Sequence, residues 1–455
     1  MGKGVALRGR GRVENFLKRN TPSHLLGVFV ASNPLGRAYE ATVSRKFLTY
    51  LRALSQGGIL LHVVAMTASA RTTQDTVVLH ANGSPVWGDS VSVVEEIRIG
   101  VLDGGDEYTL GHVAAMTVDG EGSIYVYDAQ VPIIREYDAA GRFIRNVGRE
   151  GAGPGEYRDV LGMAMLPGLE LAVWDVGNSR ITVYDSTATY ITSHRVPSAL
   201  HSWSAFLVDT AGHYYVKAAD LRRVSTGHEG TTASMPELFI RLSRTGAVQD
   251  SVFVPSRNGN PGFVLSTPEG PRGTFTKETV YALSPFGYLV TGVTSRYAIN
   301  LLMPTGRIRR IERHIEPVTV LPAEREMWRQ WARFLAARGS GEPRSYPDLP
   351  RQKPAFRALS VDEDGRVWVD RYVRALRDDS PQARAPVDER PTYEWREPPT
   401  FDVITPTGTF LGTVVMPRNA LAYVRRGMHV WGVQSGESRE PYVVRWRIVP
   451  SQRPG

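Results

Sequence analysis

Three glycines lie close together in the stretch VGREGAGPGEYRDV, at Gly151, Gly153 and Gly155. Glycines at such spacing can cradle a phosphate when they follow a strand and open a helix, or when a lysine ends the loop. Here no lysine follows, Glu156 would repel a phosphate, and the next residues, VLGMAMLP, have the pattern of a strand. We therefore interpret the stretch as a connector, in which glycine adopts backbone conformations that a Cβ would hinder.

Two histidines and two carboxylates stand at corresponding positions of repeated segments, and these positions would converge on one mouth of a channel. They are His112, Asp159, His201 and Glu278. Histidine together with carboxylates is the set that a divalent metal or a general acid–base pair requires. Repeats also place polar residues at such positions simply to face water, and no H-E-x-x-H motif or Ser/His/Asp order supports catalysis. Both interpretations stay open, and we favour the one in which these residues simply face water. The catalytic residues, if there are any, are unknown.

A unit of similar sequence recurs along the chain. Tyr127-Asp128 matches Trp174-Asp175, and Tyr137-Asp138 matches Tyr184-Asp185, each pair 47 residues apart. Each unit holds short runs of β-branched and aromatic residues separated by Asp-Gly or Gly turns, a pattern typical of an antiparallel meander. The first unit predicts four strands, over 114–118, 123–127, 133–137 and 143–147.

Weaker copies of the unit follow, to a total of six. Six four-stranded units predict an all-β fold, a six-bladed β-propeller over residues 94–450. The last unit lacks a fourth strand, while the strand-like segment VEEIRIG at 94–100 belongs to no unit. We expect this segment to complete the final blade, so that N- and C-terminal strands pair and close the ring. The aspartates Asp128, Asp175 and Asp370 are interpreted as turn residues that bond the backbone.

The motifs GREGAGPGEY, NSRITVYD and DAAGRF resemble the NHL-type repeat of six-bladed β-propellers. Over about residues 94–448 the chain is similar to exported bacterial propellers of this type. The third unit departs from the pattern, because its second strand ends in Lys217-Ala218 where an aspartate is expected. Lyase and lactonase families with this fold carry metal and catalytic groups around the channel. The resemblance therefore implies Ca²⁺ or Zn²⁺ for a metal-assisted enzyme, with His112 and His201 as candidate ligands; otherwise no cofactor is expected.

Insertions interrupt the repeats at 219–236, 256–278 and 373–398, all polar or charged. Between the last two, PAEREMWRQWARFLAARG predicts a helix over 322–338, with Pro322 suited to its first turn and Gly339 to its end. Trp328 and Trp331 lie on one helical face. This face packs on the propeller, or it serves as a lid or as a partner-binding surface with the two tryptophans as candidates.

The N-terminal segment differs from the rest in charge. The whole net charge of +8 falls within residues 1–70, and the remainder is neutral. Arg45, Lys46 and Arg52 precede the apolar run GGILLHVVAMTASA, whose Ala68-Ser69-Ala70 end is typical of a signal peptide. We expect a spurious or disordered extension at 1–44, a signal peptide at 45–70, a linker at 71–93, and a periplasmic or secreted protein. The alternative is a basic tail before a weak signal anchor.

Composition narrows the function. The chain has no cysteine, which excludes disulfides, thiolate metal sites and a cysteine nucleophile. A neutral body poor in lysine argues against nucleic acid, and no stretch after residue 70 is apolar enough to span a membrane. We expect a monomeric, non-enzymatic exported propeller that recognises a protein, peptide or glycan; the alternative is a metal-assisted lyase or hydrolase with its site at the channel mouth.

Overall fold

The chain divides into two compact units, Met1–Arg71 and Thr72–Gly455. In the first unit, an antiparallel hairpin pairs β1 (Phe29–Ser32) with β2 (Ala38–Ala41). The second unit is a six-bladed β-propeller, which confirms the predicted fold class. The predicted signal peptide, 45–70, lies outside the described residues. The computed structural model describes residues 29–32, 38–41, 76–88, 91–196, 206–219, 237–254, 275, 277–338, 348–379, 391–392, 394–437 and 439–451.

Two strands, β3 (Thr76–His80) and β4 (Val91–Ile99), precede the first blade in the sequence. Blades 1 to 3 follow, each an antiparallel meander of four strands counted from the channel outwards. Blade 1 contains β5 (Val113–Val118), β6 (Ile124–Asp128), β7 (Ile133–Tyr137) and β8 (Phe143–Val147). A short parallel pair, β9 (Arg149–Glu150) and β10 (Glu156–Tyr157), comes next. Blade 2 contains β11 (Val160–Leu166), β12 (Glu170–Asp175), β13 (Arg180–Tyr184) and β14 (Tyr190–Arg195). Blade 3 contains β15 (Phe206–Val208), β16 (Tyr214–Ala219), β17 (Glu237–Leu242) and β18 (Val248–Phe253).

Blades 4 to 6 complete the ring and carry the additional elements. Blade 4 contains β19 (Thr279–Leu283), β20 (Leu289–Val293), β21 (Ala298–Leu302) and β22 (Ile308–Glu312). Helix α1 (Pro322–Arg338) follows, with the predicted bounds. Blade 5 contains β23 (Phe356–Val361) and β24 (Val367–Arg371), then the short pair β25 (Leu376–Arg377) and β26 (Trp395–Arg396), then β27 (Thr400–Ile404) and β28 (Phe410–Val415). Blade 6 contains β29 (Ala420–Arg426), β30 (His429–Ser435), β31 (Pro441–Pro450) and β4.

The second strand of a blade is buried on both of its faces. All five residues of β6, IYVYD, are buried, and so are the last five of β12, LAVWD. Both faces are covered because a blade stands between two others in the ring. This is why these strands have nearly continuous apolar sequences instead of the alternation of a strand with one face in water.

Apolar clusters lie between adjacent blades. Among the described residues there are six, one at each junction in the ring. Tyr127 belongs to the cluster between blades 1 and 2, Trp174 to the next, and Trp446 to the one between blades 5 and 6. Burying one such side chain contributes about 1.5–3 kcal/mol. These strand aromatics therefore form an inter-blade core.

The ring closes through strands from the two ends of the propeller unit. β4 pairs antiparallel with β31, from Ile99 opposite Val443 to Val91 opposite Pro450. Glu96 strengthens this seam by accepting a 2.6 Å hydrogen bond from Arg447. The predicted closure by the segment at 94–100 is confirmed, and the closing strand begins earlier, at Val91.

A further strand was not expected from the sequence. β3 joins the outer edge of blade 4 as a fifth strand and runs parallel to β22. After β3 the chain crosses the outside of blade 5, where Trp87 N donates to Leu411 O at 2.7 Å, before it enters blade 6 as β4. The described parts of the segment predicted as a linker, 76–88 and 91–93, therefore hold β3 and the start of β4, and they lie along the outside of blades 4, 5 and 6.

The helix is the one element of its kind among the described residues, and it is anchored at its first turn. Glu324 accepts a hydrogen bond from the backbone N–H of Leu321 at 2.8 Å, which satisfies a donor at the helix start. No helix in the described part of the chain has the length and apolar character that crossing a bilayer requires.

Candidate ligand-binding site at the channel

The two faces of the propeller differ in the length of their connections. On the face where each innermost strand ends, which we call the turn face, connections within the described blades have two to five residues. On the opposite face, which we call the insertion face, the chain leaves β16 at Ala219 and enters β17 at Glu237. The connections from β18 to β19, from β22 to β23 and from β24 to β27 also lie there. Binding residues concentrate on long loops held by a rigid scaffold, so the insertion face is the candidate functional surface.

The predicted channel-mouth residues occupy equivalent places on this face. His112, Asp159 and Glu278 each lie immediately before the innermost strand of blades 1, 2 and 4. Their carbonyl oxygens accept equivalent backbone bonds, from Ala129 at 2.8 Å and from Val176 and Thr294 at 2.9 Å. The alignment of these three positions is therefore correct. His201, the fourth candidate, lies outside the described residues.

These equivalent residues do not assemble a metal site in the described part of the chain. No group of three or more His, Asp or Glu side chains there is placed to hold one ion. His112 is half-buried, Asp159 is exposed, and Glu278 is half-buried. The described residues thus do not fit Ca²⁺ or Zn²⁺ at this position.

The aspartates that end the second strands of blades 1 and 2 bind the backbone just before the innermost strand of the same blade. Asp128 is fully buried and accepts hydrogen bonds from the backbone N–H groups of Gly111 and His112 at 2.8 and 2.9 Å. Asp175 does the same for Arg158 and Asp159, each at 3.2 Å. Burial tends to raise the pKa of Asp128, but its backbone hydrogen bonds outweigh burial and lower the pKa. The interpretation of these two as backbone-bonding residues is confirmed.

Asp370 does not belong with Asp128 and Asp175. In blades 1 and 2 the first residue of the innermost strand stands opposite the aspartate, Val113 opposite Asp128 and Val160 opposite Asp175. In blade 5 the same position, Phe356, stands opposite Arg371. Asp370 is therefore one residue out of register, and its side chain lies 3.2 Å from Arg357 Nε.

The glycine connector is held by its own neighbours. Arg180 donates to the carbonyl oxygens of Gly153 and Glu156, both at 2.7 Å, and Asn178 donates to that of Gly151 at 2.9 Å. The carboxylate of Glu156 accepts a hydrogen bond from Gly153 N–H at 2.7 Å. A phosphate bound in this loop would need that same N–H group as a donor. The stretch is a joint between blades 1 and 2, as predicted.

One position of the second strand distinguishes two halves of the ring. In blades 1, 2 and 6 it holds an aromatic residue that packs toward the next blade. In blades 3, 4 and 5 the same position holds a charged residue or glycine. We identified the position by the residue that stands opposite it in the third strand. The aromatic residues are Tyr127, Trp174 and Trp431, and the replacements are Lys217, Gly292 and Asp370. The aromatic layer is therefore interrupted on one side of the channel.

A pocket of about 210 Å³ lies at this interruption; we call it the channel pocket. Its lining comes from blades 3, 4 and 5: Lys217, Val280, Tyr281, Arg357, Ala358 and Leu359. No sequence motif marks this site; the departure from the repeat at Lys217-Ala218 is the one signal of it in the sequence.

Lys217 is held in place on its own blade. Its Nζ lies 2.8 Å from Glu237 Oε1 and 5.6 Å from the centre of the Tyr281 ring. The Tyr281 hydroxyl donates to the other oxygen of Glu237. An ammonium, a carboxylate and a phenol thus meet at one wall of the channel pocket.

Arg357 forms the facing wall and is also paired. It donates to Glu397 and, at 2.9 Å, to the carbonyl oxygen of Arg371, and its guanidinium lies 4.4 Å from the centre of the Tyr372 ring. Burial raises the pKa of Tyr372, which keeps this phenol neutral. Because Asp370 and Glu397 both face Arg357, the wall carries no excess positive charge.

A buried lysine joins the channel pocket to the insertions. The Nζ of Lys353 is fully buried and lies 2.6 Å from Glu324 of α1 and 2.8 Å from Glu397, and it donates to Val373 O at 2.9 Å. Glu397 is shared between Lys353 and Arg357. The helix and both ends of the 373–398 insertion are therefore fixed at one ammonium group.

Trp328 and Trp331 do not offer a surface to a partner. Their exposed fractions are 4% and 6%. Trp328 packs with Val320 and Leu349, and Trp331 Nε1 donates to Thr392 O at 3.2 Å. The apolar helix face is covered by the propeller's own connections, so the partner-surface prediction for these two residues is corrected to a packing role.

A larger cleft, of about 510 Å³, opens at the rim of blade 4. Its two interior cations are already engaged, because Lys353 holds the pairs described above and Arg313 Nε lies 3.5 Å from Asp402 Oδ2. Arg313 also stacks 3.5 Å from the centre of the Phe410 ring. These contacts hold the blades together, and we place the candidate site in the channel instead.

Comparison with known proteins supports the class of protein that this geometry defines. A family model described as a six-bladed β-propeller matches residues 83–228. No curated protein sequence matches the chain.

Several solved structures share a distant likeness. A member of the DUF4221 family from Bacteroides vulgatus is 13% identical, with a TM-score of 0.46, covering 79% of this chain and 98% of the other. A structural genomics protein of unknown function from Bacteroides thetaiotaomicron is 10% identical, with a TM-score of 0.40, covering 79% and 76%. Virginiamycin B lyase from Staphylococcus aureus is 10% identical, with a TM-score of 0.33, covering 80% and 90%. Likeness at this level carries no argument about function.

Replacing Lys353 tests the link between helix and insertion. Lys353→Met leaves Glu324 and Glu397 buried without their shared cation, and removing one partner of a buried pair costs about 3–5 kcal/mol. We expect the free energy of unfolding, measured with urea, to fall by that amount. The control is Arg329→Met, which breaks the exposed pair with Asp348 and should cost about 1 kcal/mol or less. Equal effects of the two changes would contradict the central position of Lys353.

Two aspartates of blade 2 should make opposite contributions to the stability of the fold when they ionise. Desolvation, followed by the charge of Asp175, raises the pKa of Asp159, so its ionisation destabilises the fold as pH rises through the folded pKa. Hydrogen bonds from Thr187 and Thr189 lower the pKa of Asp185, so its ionised form stabilises the fold above the ordinary pKa.

The expected consequence concerns the Tm measured at two pH values. At pH 7, Asp159→Asn should raise the Tm and Asp185→Asn should lower it. As the pH falls toward about 4, near the ordinary pKa of aspartate, the Asp159→Asn difference should shrink because the wild-type carboxyl, with its raised pKa, becomes protonated. The Asp185→Asn difference should persist at about pH 4, because the folded pKa of Asp185 is lowered, and should be lost only as the pH falls further, through that folded pKa. Shifts of the same sign for both variants at pH 7 would show that the environments are not opposed.

Proposed function

We propose that the protein is a non-catalytic recognition propeller that acts outside the cytoplasm as a monomer and binds a protein, peptide or glycan on its insertion face. The observation that carries this proposal is the asymmetry of the two faces, since every long connection of the described blades joins strands at the insertion face. Blades of the NHL type, inferred from the sequence motifs, are part of the same proposal.

The charges around the channel favour binding over catalysis. Lys217 and Arg357 are each held by carboxylates, and Lys353 is buried in ion pairs. Side chains held in this way are preorganised donors and acceptors, which lowers the entropic cost of binding a ligand. A metal-assisted enzyme remains an alternative without a supporting ligand set among the described residues.

Export is tested by the N-terminus of the mature protein. If the segment at 45–70 is a signal peptide that is cleaved after Ala70, protein recovered from the periplasm or the medium should begin at Arg71. N-terminal sequencing and intact mass measure this directly. A protein that keeps Met1 and stays in the cytoplasm would contradict export.

Binding is tested with the full chain against a displayed random-peptide library and a glycan array. Two matched pairs of variants compare the faces. Arg296 and Arg307 are exposed residues of blade 4 on the insertion and turn faces, and each is changed to Glu. Val131 and Ala140 are their counterparts in blade 1, and each is changed to Arg.

We expect at least one insertion-face variant to weaken the selected probe about tenfold or more, which corresponds to ~1.4 kcal/mol. The turn-face variants should stay within about twofold of the wild type, because substitutions outside a contact surface have little effect. The proposal fails if neither probe collection yields a binder, or if changes on the two faces weaken binding equally.

A further inference from the structure

The channel pocket differs from the rest of the inter-blade core in a way that packing does not require. Blades 6, 1 and 2 place Trp431, Tyr127 and Trp174 at the shared second-strand position. Lys217 and Asp370 replace such aromatic residues with charge, and Gly292 removes the side chain altogether. Departures from a protein's own packing rule, with no gain in stability, are expected where function requires them.

The charge balance of the channel pocket decides which ligands it suits. Lys217 is compensated by Glu237, at 2.8 Å. Arg357 faces two carboxylates, Asp370 and Glu397. The two lining cations are thus paired with three carboxylates, and an anionic ligand would gain little from them.

The polar groups of the channel pocket are arranged as adjacent donors and acceptors. Lys217 and Tyr281 line one wall of the channel pocket, and Glu237 is bonded to both, so a ligand hydroxyl that accepts from the ammonium would have this carboxylate as an adjacent acceptor. Hydrogen bonds to charged groups are the stronger ones, about 1.5–3 kcal/mol each. Val280, Ala358 and Leu359 add apolar lining. A neutral sugar ring, with hydroxyls at its edge and C–H groups on its faces, matches this combination.

The size of the channel pocket limits what can enter. Its volume, about 210 Å³, is below the roughly 300 Å³ at which pockets for drug-sized ligands begin. One sugar unit is therefore the portion that it suits, and the remainder of a chain would extend over the insertion face.

We propose that the channel pocket binds the terminal unit of a neutral glycan, with Lys217, Glu237 and Tyr281 as the residues that select it. This inference rests on the proposed binding function and specifies its ligand. Lys217 bonds a ring hydroxyl, Glu237 accepts from it, and Tyr281 orients Glu237.

The test uses calorimetry on the full chain with three sets of oligosaccharides: neutral ones, ones that end in a uronic acid, and ones that end in an amino sugar. Neutral oligosaccharides should bind at least about tenfold more tightly than the other two sets. Lys217→Met and Tyr281→Phe should each weaken neutral binding about tenfold or more, and Lys217→Arg should weaken it less.

A matched control lies on the same blade. Arg241→Met breaks the pair with Asp250 at 2.6 Å, away from the channel, and should leave affinity unchanged. Thermal melting of each variant separates loss of binding from loss of folding. Tyr281→Phe provides the answer if Lys217→Met fails to fold, because it removes one hydroxyl and keeps the ring.

The outcomes separate this inference from the proposed function. If Lys217→Met and Tyr281→Phe bind neutral glycans as the wild type does, or if acidic or amino sugars bind more tightly, the glycan assignment of the channel pocket is overturned. If peptides bind and glycans do not, the insertion face is a recognition surface and the inference is wrong. If no peptide or glycan binds, the proposed function fails with it.

Discussion

Apolar contact between neighbouring blades holds the ring together, because a four-stranded sheet whose second strand is buried on both faces cannot be stable alone. Among the described residues the large apolar clusters lie between blades, with Trp174 and Trp446 as examples. Each blade thus depends on two neighbours, and the last must meet the first. β4 and β31 supply that junction through main-chain hydrogen bonds, and β3 extends blade 4 outside it.

In a closed ring, residues can be inserted between strands at the strand ends without disturbing the core. The long connections of the described blades lie on the insertion face, and Lys353 fixes two of them there, the one that contains α1 and the one between β24 and β27. One ammonium group binds Glu324 of α1 and Glu397 at the end of an insertion, and Glu397 continues to Arg357 in the channel pocket. The buried tryptophans of α1 then have a clear role, since they pack the helix over these connections instead of facing a partner.

The interruption of the aromatic layer has an energetic cost. Each missing buried aromatic forgoes about 1.5–3 kcal/mol of apolar burial, and ion pairs such as Lys217–Glu237 offset only part of this since they are partly exposed. Stability alone would favour aromatic residues in all six blades. The charged side of the channel is therefore the part of the fold that departs most from what packing alone would favour.

Local pattern was sufficient for the six blades, the helix at 322–338 and the closing strand, because turns and alternating strands act over a few residues and repeat along the chain. The equivalence of His112, Asp159 and Glu278 also followed from the repeat. Pairing between distant segments was decided only by the fold: β3 beside β22 has no local signal, and the register of blade 5 places Arg371 where Asp370 was expected. The channel pocket likewise exists only once blades 3, 4 and 5 meet, because ring closure sets which side chains share a wall.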